Sequence, residues 1–303
     1  MTDTAAPSGR QFAISAAGHR AVAVEVGGGI REYETQERPV LAGFAEPAMQ
    51  PHSAGAVLVP WPNRIANGRY VHDGATQQLA LSEPARGNAI HGLARWIRWT
   101  LVEQTADSVE LACDLPPQTG YPFRIQTSVR WSVGPDGLRA DHRARNVGDR
   151  PAPFGLGTHP YLHLGRATVR QARLQVPATS RLLTDEYSIP AGSQPVADTP
   201  YDLRAGRELG DLQLDTCFAD LARDGAGIAT ARVSTPDGAA TEIWADAAFD
   251  YLQAYTVSGF APGVDAVALE PMSCAPNAFN SGAGVVLLAP GEDWSGSWGV
   301  RTT

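Results

Sequence analysis

Residues 124–145 read RIQTSVRWSVGPDGLRADHRAR, and this stretch decides the fold. Val129, Trp131 and Val133 alternate with Arg130 and Ser132, the period-two pattern of a half-buried strand. Gly134-Pro135-Asp136-Gly137 follows as a hairpin signal, and Leu138–Arg145 resumes an extended pattern. The same grammar recurs outward in Gln11–Ile14, Val22–Val26, Ser108–Cys113, Thr241–Ala245 and Val285–Leu288, with a second turn signal at Pro236-Asp237-Gly238. With 31 Gly, 23 Pro and no long segment of period 3.6, helix is expected to be minor. The pattern predicts an all-β protein, a large antiparallel β-sandwich. No linker divides the chain, so residues 11–303 read as a single domain after a frayed, small and polar stretch at 1–10. The turn-rich Pro190–Pro200 stretch reads as a surface loop near one end of the sandwich.

Composition narrows the function classes. The formal net charge of −8 opposes a nucleic-acid partner. The chain contains no lysine, which excludes a lysine Schiff base. Cys113, Cys217 and Cys274 are odd in number, far apart and without metal-type spacing, the usage expected of a reducing cytoplasm. The sequence shows no secretory pattern and no run of 18 apolar residues, so neither export nor a membrane is expected. Gly27-Gly28-Gly29 lacks the helix pattern of a dinucleotide site. No zinc-type HExxH pair is present, and the Ser-Gly dipeptides lack the frame of a nucleophile elbow.

The polar residues that carry chemistry lie in short apolar segments marked by proline or glycine. His159 in GLGTHPYL is pushed toward extended geometry by Pro160, and the neighbouring Gly155 and Gly157 would let a ligand approach the backbone. As an imidazolium it would protonate a leaving oxygen near neutral pH; the plainer reading is a core histidine bonded to a carbonyl. His91 in NAIHG offers a hydrogen bond to a ring oxygen or hydroxyl, or a structural role. Glu270 ends the apolar run Val267–Leu269, where a carboxylate is costly unless paired or used; partial desolvation would raise its pKa and suit it as a base. Asp215 in LDTCF reads as a hydroxyl acceptor or an Asx-turn residue. Arg64 in WPNRI offers a planar fork to hydroxyls or a structural ion pair, and Asn63 shares the ligand or braces the loop. Two imidazoles, two carboxylates and a guanidinium suit a sugar, with its many hydroxyls and one acetal centre.

Taken together, LVPWPNRIANGRY (58–70), GNAIHGLARWIRW (87–99), PFGLGTHPYL (153–162), the IPAG turn (189–192), LDTCF (214–218), LQAYT (252–256), LEPMSCAPNAFN (269–280) and LAPGE (288–292) resemble the aldose 1-epimerase (galactose mutarotase) family in the same order. The resemblance implies a β-sandwich with the sugar site in an open cleft. It implies that Glu270 is the general base, His159 the general acid, and His91, Arg64 and Asp215 substrate-binding residues. Gln253 matches a further binding position, and Asn63 is adjacent. It also implies a monosaccharide substrate, no cofactor and no metal, in a monomer or homodimer. Asn277 and Thr216 depart from the family's usual residues and are expected at the rim. Three rivals stay open. A hexose-6-phosphate epimerase would draw on Arg95 and Arg98. A glycosidase would use Asp215 and Glu270 as its carboxylate pair. A sugar-binding protein on the same fold would catalyse nothing.

Overall fold

In the computed structural model, which describes residues 6–303, the deciding stretch is the hairpin Ile125–Gly134 and Gly137–Asn146. It is paired in register from Ile125 opposite Asn146 to Gly134 opposite Gly137. A nine-stranded antiparallel sheet grows from it. Ser108–Leu115 and Thr100–Gln104 extend one side; Asp293–Thr302, Ala240–Ala245, Ala229–Ser234, Arg173–Gln175 and Arg207–Glu208 extend the other. Gln11–Ala16, His19–Val24, Ile30–Thr35 and Arg38–Pro39 form a four-stranded sheet packed beside it. The one α-helix among the described residues is Ala278–Ser281.

A second large sheet faces the first. Its order runs Pro190–Pro195, Ala178–Thr184, Asp215–Leu221, Tyr251–Ala261, Val264–Met272. Gly157–Thr158 and Tyr161–His163 then pair with Val264–Met272, and Val57–Leu58 lies outside Gly157–Thr158. Strand periodicity gives this sheet two different faces. Phe218, Leu252, Ala254, Val267 and Leu269 enter the same apolar core as Leu111, Val129, Trp131 and Trp298 of the nine-stranded sheet. Their neighbours Tyr161, Ala266 and Ala268 turn the other way and join Ala42, Phe44, Ala54 and Phe260 in a smaller cluster. The second face is thus roofed by loops, and there a polar site has room.

The core supplies partners for its polar tips. Trp131 and Trp298 are fully buried and meet edge to face, with ring centres 5.8 Å apart. The Trp131 indole donates to the Gly28 carbonyl at 2.9 Å, and that of Trp298 to His142 Nε2 at 3.0 Å. His142 therefore sits in the core as a neutral ring protonated on Nδ1.

Two expectations need correction. Of the stretch expected to fray, residues 1–5 lie outside the described residues. Ser8 and Arg10, however, are held, because their carbonyls accept hydrogen bonds from Val26 and Glu25. Half of the expected Pro190–Pro200 loop is instead the edge strand Pro190–Pro195. An edge position needs no backbone donor on its open side, so proline is tolerated there. The turn lies just before it, where the Asp185 carboxylate accepts from the Tyr187 and Ile189 amides.

His142 makes stability depend on pH. Burial pulls it from 6.5 to about 3, with the Asp141 charge opposing. The unfolded ring binds a proton below the ordinary value and the folded one does not, so its contribution is complete above 6.5 and is lost as pH falls toward 3. His142→Gln should flatten the acid side of a urea-denaturation series by about 1 kcal/mol per pH unit. Parallel curves for variant and wild type would remove this role.

Candidate functional site

The roofed face of the second sheet builds the site by register. Cys217 pairs with Gln253, and Gln253 with Glu270. Asp215 pairs with Tyr255, Tyr255 with Ala268, and Ala268 with Tyr161. Gly157 lies opposite Met272 and Tyr161 opposite Ala268, so the intervening His159 falls beside Glu270. The result is one cross-strand row, Gln253–Glu270–His159, with Asp215 diagonal to Gln253. The Gln253 side-chain amide donates to Asp215 Oδ1 at 2.6 Å.

The facing wall comes from the loops. Arg64–Ile65 pairs with Ala89–Ile90. The His91 amide donates to the Asn63 carbonyl at 2.9 Å, and the Asn63 amide donates to His91 Nδ1 at 3.2 Å. With Nδ1 accepting, neutral His91 carries its proton on Nε2 and is a donor there. Both residues are left-handed, with φ of 53° at Asn63 and 63° at His91. Such backbone is held only where its surroundings over-determine it. Here the Arg64 amide donates to Asn63 Oδ1, and the Arg64 carbonyl accepts from the Asn277 amide.

All seven residues singled out in the sequence — Asn63, Arg64, His91, His159, Asp215, Gln253 and Glu270 — line one cavity of about 380 Å³. That volume lies within the roughly 300–1,000 Å³ of small-molecule sites. His52, Ser53, Glu83, Arg95, Tyr161 and Tyr255 also line it. His159 stacks on Tyr161 with ring centres 4.8 Å apart and meets His91 edge-on at 5.3 Å.

Electrostatics separates these groups. Glu270 is 2% exposed; burial, reinforced by the charge of Asp215 and partly offset by Arg64, pushes its carboxyl well above the usual range. His159 is also buried, and burial, opposed by a backbone hydrogen bond and reinforced by Arg95 and His52, pulls it down to about 3. Burial, then the charges of His159, Arg95 and Arg64, holds His91 well below its ordinary value. His159 Nε2 lies 3.4 Å from Glu270 Oε1, wider than an ordinary hydrogen bond. Glu270 Oε2, His159 Nδ1 and Gln253 Oε1 are buried without a partner. An unsatisfied buried polar atom is costly, and three together beside a cavity mark a place prepared for a polar ligand.

Several local expectations change. Burial disfavours an imidazolium at His159, and the sequence around it carries no measure of that burial. Gly155 and Gly157 do not open the backbone to a ligand: a β-carbon would strike Cys274 Sγ at Gly155 and Pro62 at Gly157, so they seat the Arg64 loop. Asn277 accepts from the Ala66 amide and braces that loop, and Thr216 alternates away from Asp215; neither lines the cavity. Arg98 is also outside it, paired with Glu25 at 2.9 Å.

Sequence reasoning missed Glu83. Its carboxylate accepts the Arg64 fork at 2.9 and 3.0 Å and also takes Asn88 at 3.2 Å. Burial alone would raise its pKa, but these donors and Arg86 more than offset that and hold it below the usual carboxylate range. Only proximity to Arg64 across 19 residues marks it, and no local motif carries that signal.

Comparison with known proteins bears on the whole chain. Residues 10–301 match the family described as aldose 1-epimerase. The uncharacterized protein YihR of Escherichia coli K12 is 33% identical over 286 residues, 94% of this chain and 91% of that one. The aldose 1-epimerase of the same organism is 32% identical over 181 residues, covering 56% of this chain and 51% of that protein. A GalM/aldose epimerase homologue from C. elegans superposes with a TM-score of 0.85 over 97% of this chain and 98% of that one, at 20% identity, a likeness of fold.

Glu83→Ala should destabilise the protein by about 2 kcal/mol, since it leaves a nearly buried guanidinium unpaired. Arg64→Met combined with Glu83→Ala should recover part of that loss. A neutral single variant in urea denaturation would reduce the fork to an ordinary surface ion pair.

Proposed function

The chain belongs to the aldose 1-epimerase family, and from that premise we propose that it interconverts the α and β anomers of an aldose by acid–base ring opening and reclosure. The observation that carries this reading is Glu270 on Val264–Met272 with His159 beside it, in the break between Gly157–Thr158 and Tyr161–His163, both buried and both with unsatisfied atoms beside one cavity. The anomeric and ring oxygens of a pyranose share one carbon. An acid and a base that act on both must therefore stand side by side on one wall, as these two do.

Glu270 takes the proton of the anomeric hydroxyl, and His159 gives a proton to the ring oxygen. The ring opens to an aldehyde, the bond next to it rotates, and reclosure with reversed roles yields the other anomer. On reclosure the ring oxygen returns its proton to His159 and the former anomeric oxygen takes one from Glu270, so both residues end as they began, no electrons are exchanged and no further reagent is needed. Burial favours the neutral acid Glu270 and the neutral ring His159. Their single transferable proton moves to His159 when sugar hydroxyls donate to the unpartnered Oε2 and stabilise the carboxylate. Arg64 uses its fork on Glu83 and keeps further N–H groups for hydroxyls. His91 donates through Nε2, and Asp215 and Gln253 hold hydroxyls on the sheet side. The proposed setting is cytoplasmic, supported by three buried free thiols.

A glycosidase is disfavoured because its carboxylate pair would leave His159 beside Glu270 without a task. Polarimetry on freshly dissolved α-glucose and α-galactose tests the proposal. Wild type should accelerate mutarotation. Glu270→Gln should lose it by about 10²–10⁴-fold while folding normally. His159→Ala should lose kcat far more than it raises KM. A Glu270→Gln variant with near-wild-type rates would end the proposed base role, and binding without acceleration by wild type would make the protein a sugar binder.

A further inference from the structure

Among the described residues, none other than His159 itself hydrogen-bonds to the His159 ring. Nδ1 is buried with no neighbour to bond, and Nε2 stands 3.4 Å from Glu270 Oε1, beyond ordinary hydrogen-bond length. The torsion that turns an imidazole about its Cβ–Cγ bond is broad, so the side chain does not set its own plane. An acid that must meet one particular oxygen needs a further group to hold its orientation. The backbone of His159 is fixed from the roof. Its amide donates to the Ala56 carbonyl at 3.1 Å, and its carbonyl accepts from the Gly55 amide at 2.8 Å. Those bonds place the Cα and leave the ring free to turn.

Tyr161 supplies the constraint. The two rings, on either side of Pro160, lie 20° from parallel with centres 4.8 Å apart, the geometry of an offset stack. His91 touches the same imidazole only edge-on, at 5.3 Å and 76°. Turning the imidazole out of its plane would lose the contact of faces and press its edge into the phenol. Tyr161 has little room to yield. It is 1% exposed, and its backbone lies opposite Ala268 and accepts from the Ala42 amide. Its ring packs against Phe260 with centres 4.8 Å apart, and its hydroxyl donates to the His52 carbonyl at 3.3 Å. With that proton spent on the roof, what Tyr161 offers His159 is a flat surface.

We infer that Tyr161 is a positioning residue for the proposed general acid: the face of its ring, and not its hydroxyl, sets the plane in which His159 presents its nitrogen to the substrate. The inference rests on the epimerase reading for the task of His159, while the support of the ring stands on geometry alone.

Mutarotation of α-glucose and α-galactose by Tyr161 variants, with a crystal structure of each variant, tests it. Tyr161→Leu fills the space without a plane and should lose about 10–10²-fold in kcat with KM within about threefold, since a misplacement of about 1 Å costs on that order. Tyr161→Met, whose side chain adapts to irregular gaps, should show the same split and carries the test if the leucine variant does not fold. Tyr161→Phe keeps the face and gives up only a long hydrogen bond, so it should stay within about threefold of wild-type kcat. In the Leu and Met variants the His159 imidazole should be turned out of its plane or split over two orientations, with the strands unmoved. A loss that falls on KM, a phenylalanine variant as slow as the leucine one, or an unmoved imidazole overturns the inference. If wild type accelerates neither sugar, the epimerase reading fails, and the structures then decide the support by themselves: an imidazole turned or split in Tyr161→Leu or Tyr161→Met upholds it, and an unmoved one removes it.

Discussion

Glu270 is a carboxyl held in the interior without a cation of its own, and much of the architecture follows from accommodating it. Its strand must supply apolar side chains to the core on one face and a polar group to a cavity on the other. Alternation meets both needs, with Val267 and Leu269 turned inward and Ala266, Ala268 and Glu270 turned outward. The outward face is kept dry by a roof of loops, in which residues 42–54 and the paired segments around Arg64 and His91 lie over the sheet. Removing that roof would return Glu270 and His159 to water and to their ordinary titration, and their complementary protonation would vanish with it.

The fold was legible where its cause is local. The alternation around Trp131 and the Gly-Pro-Asp-Gly turn need only neighbouring residues, and the hairpin has the expected register. The residues that line the cavity were legible for a related reason: each is a polar group in a short segment otherwise committed to burial. What escaped depends on distance in space. Glu83 takes its meaning from Arg64, 19 residues away in sequence. Tyr161 and Tyr255 drew no separate reading, and alternation turns them into the cavity. The resting charge of His159 depends on how completely the roof closes, which no local pattern encodes.

The loop wall is rigid by reciprocity. Asn63 and His91 each supply the other with a backbone partner, and each occupies a left-handed conformation that an isolated chain would seldom adopt. The strain is shared by two segments that cannot relax independently, so His91 keeps one ring nitrogen committed to the loop and one to the cavity. With Glu270 on the sheet, His159 beside it and His91 on a rigid loop, freedom of motion is confined to whatever enters the cavity.

The nine-stranded sheet carries a consequence for how the protein is made. Its strand Asp293–Thr302 is not at an edge; it joins Gly137–Asn146 to Ala240–Ala245 and so holds the two halves of the sheet together. A ribosome delivers residues 137–146 long before residues 293–302. Through that interval the nascent chain has an open sheet margin with Trp131 and Leu138 waiting for Trp298 and Val300 to cover them. The order of synthesis thus sets a period in which the half-built protein depends on chaperones or on speed, rather than on its own contacts, to stay out of aggregates.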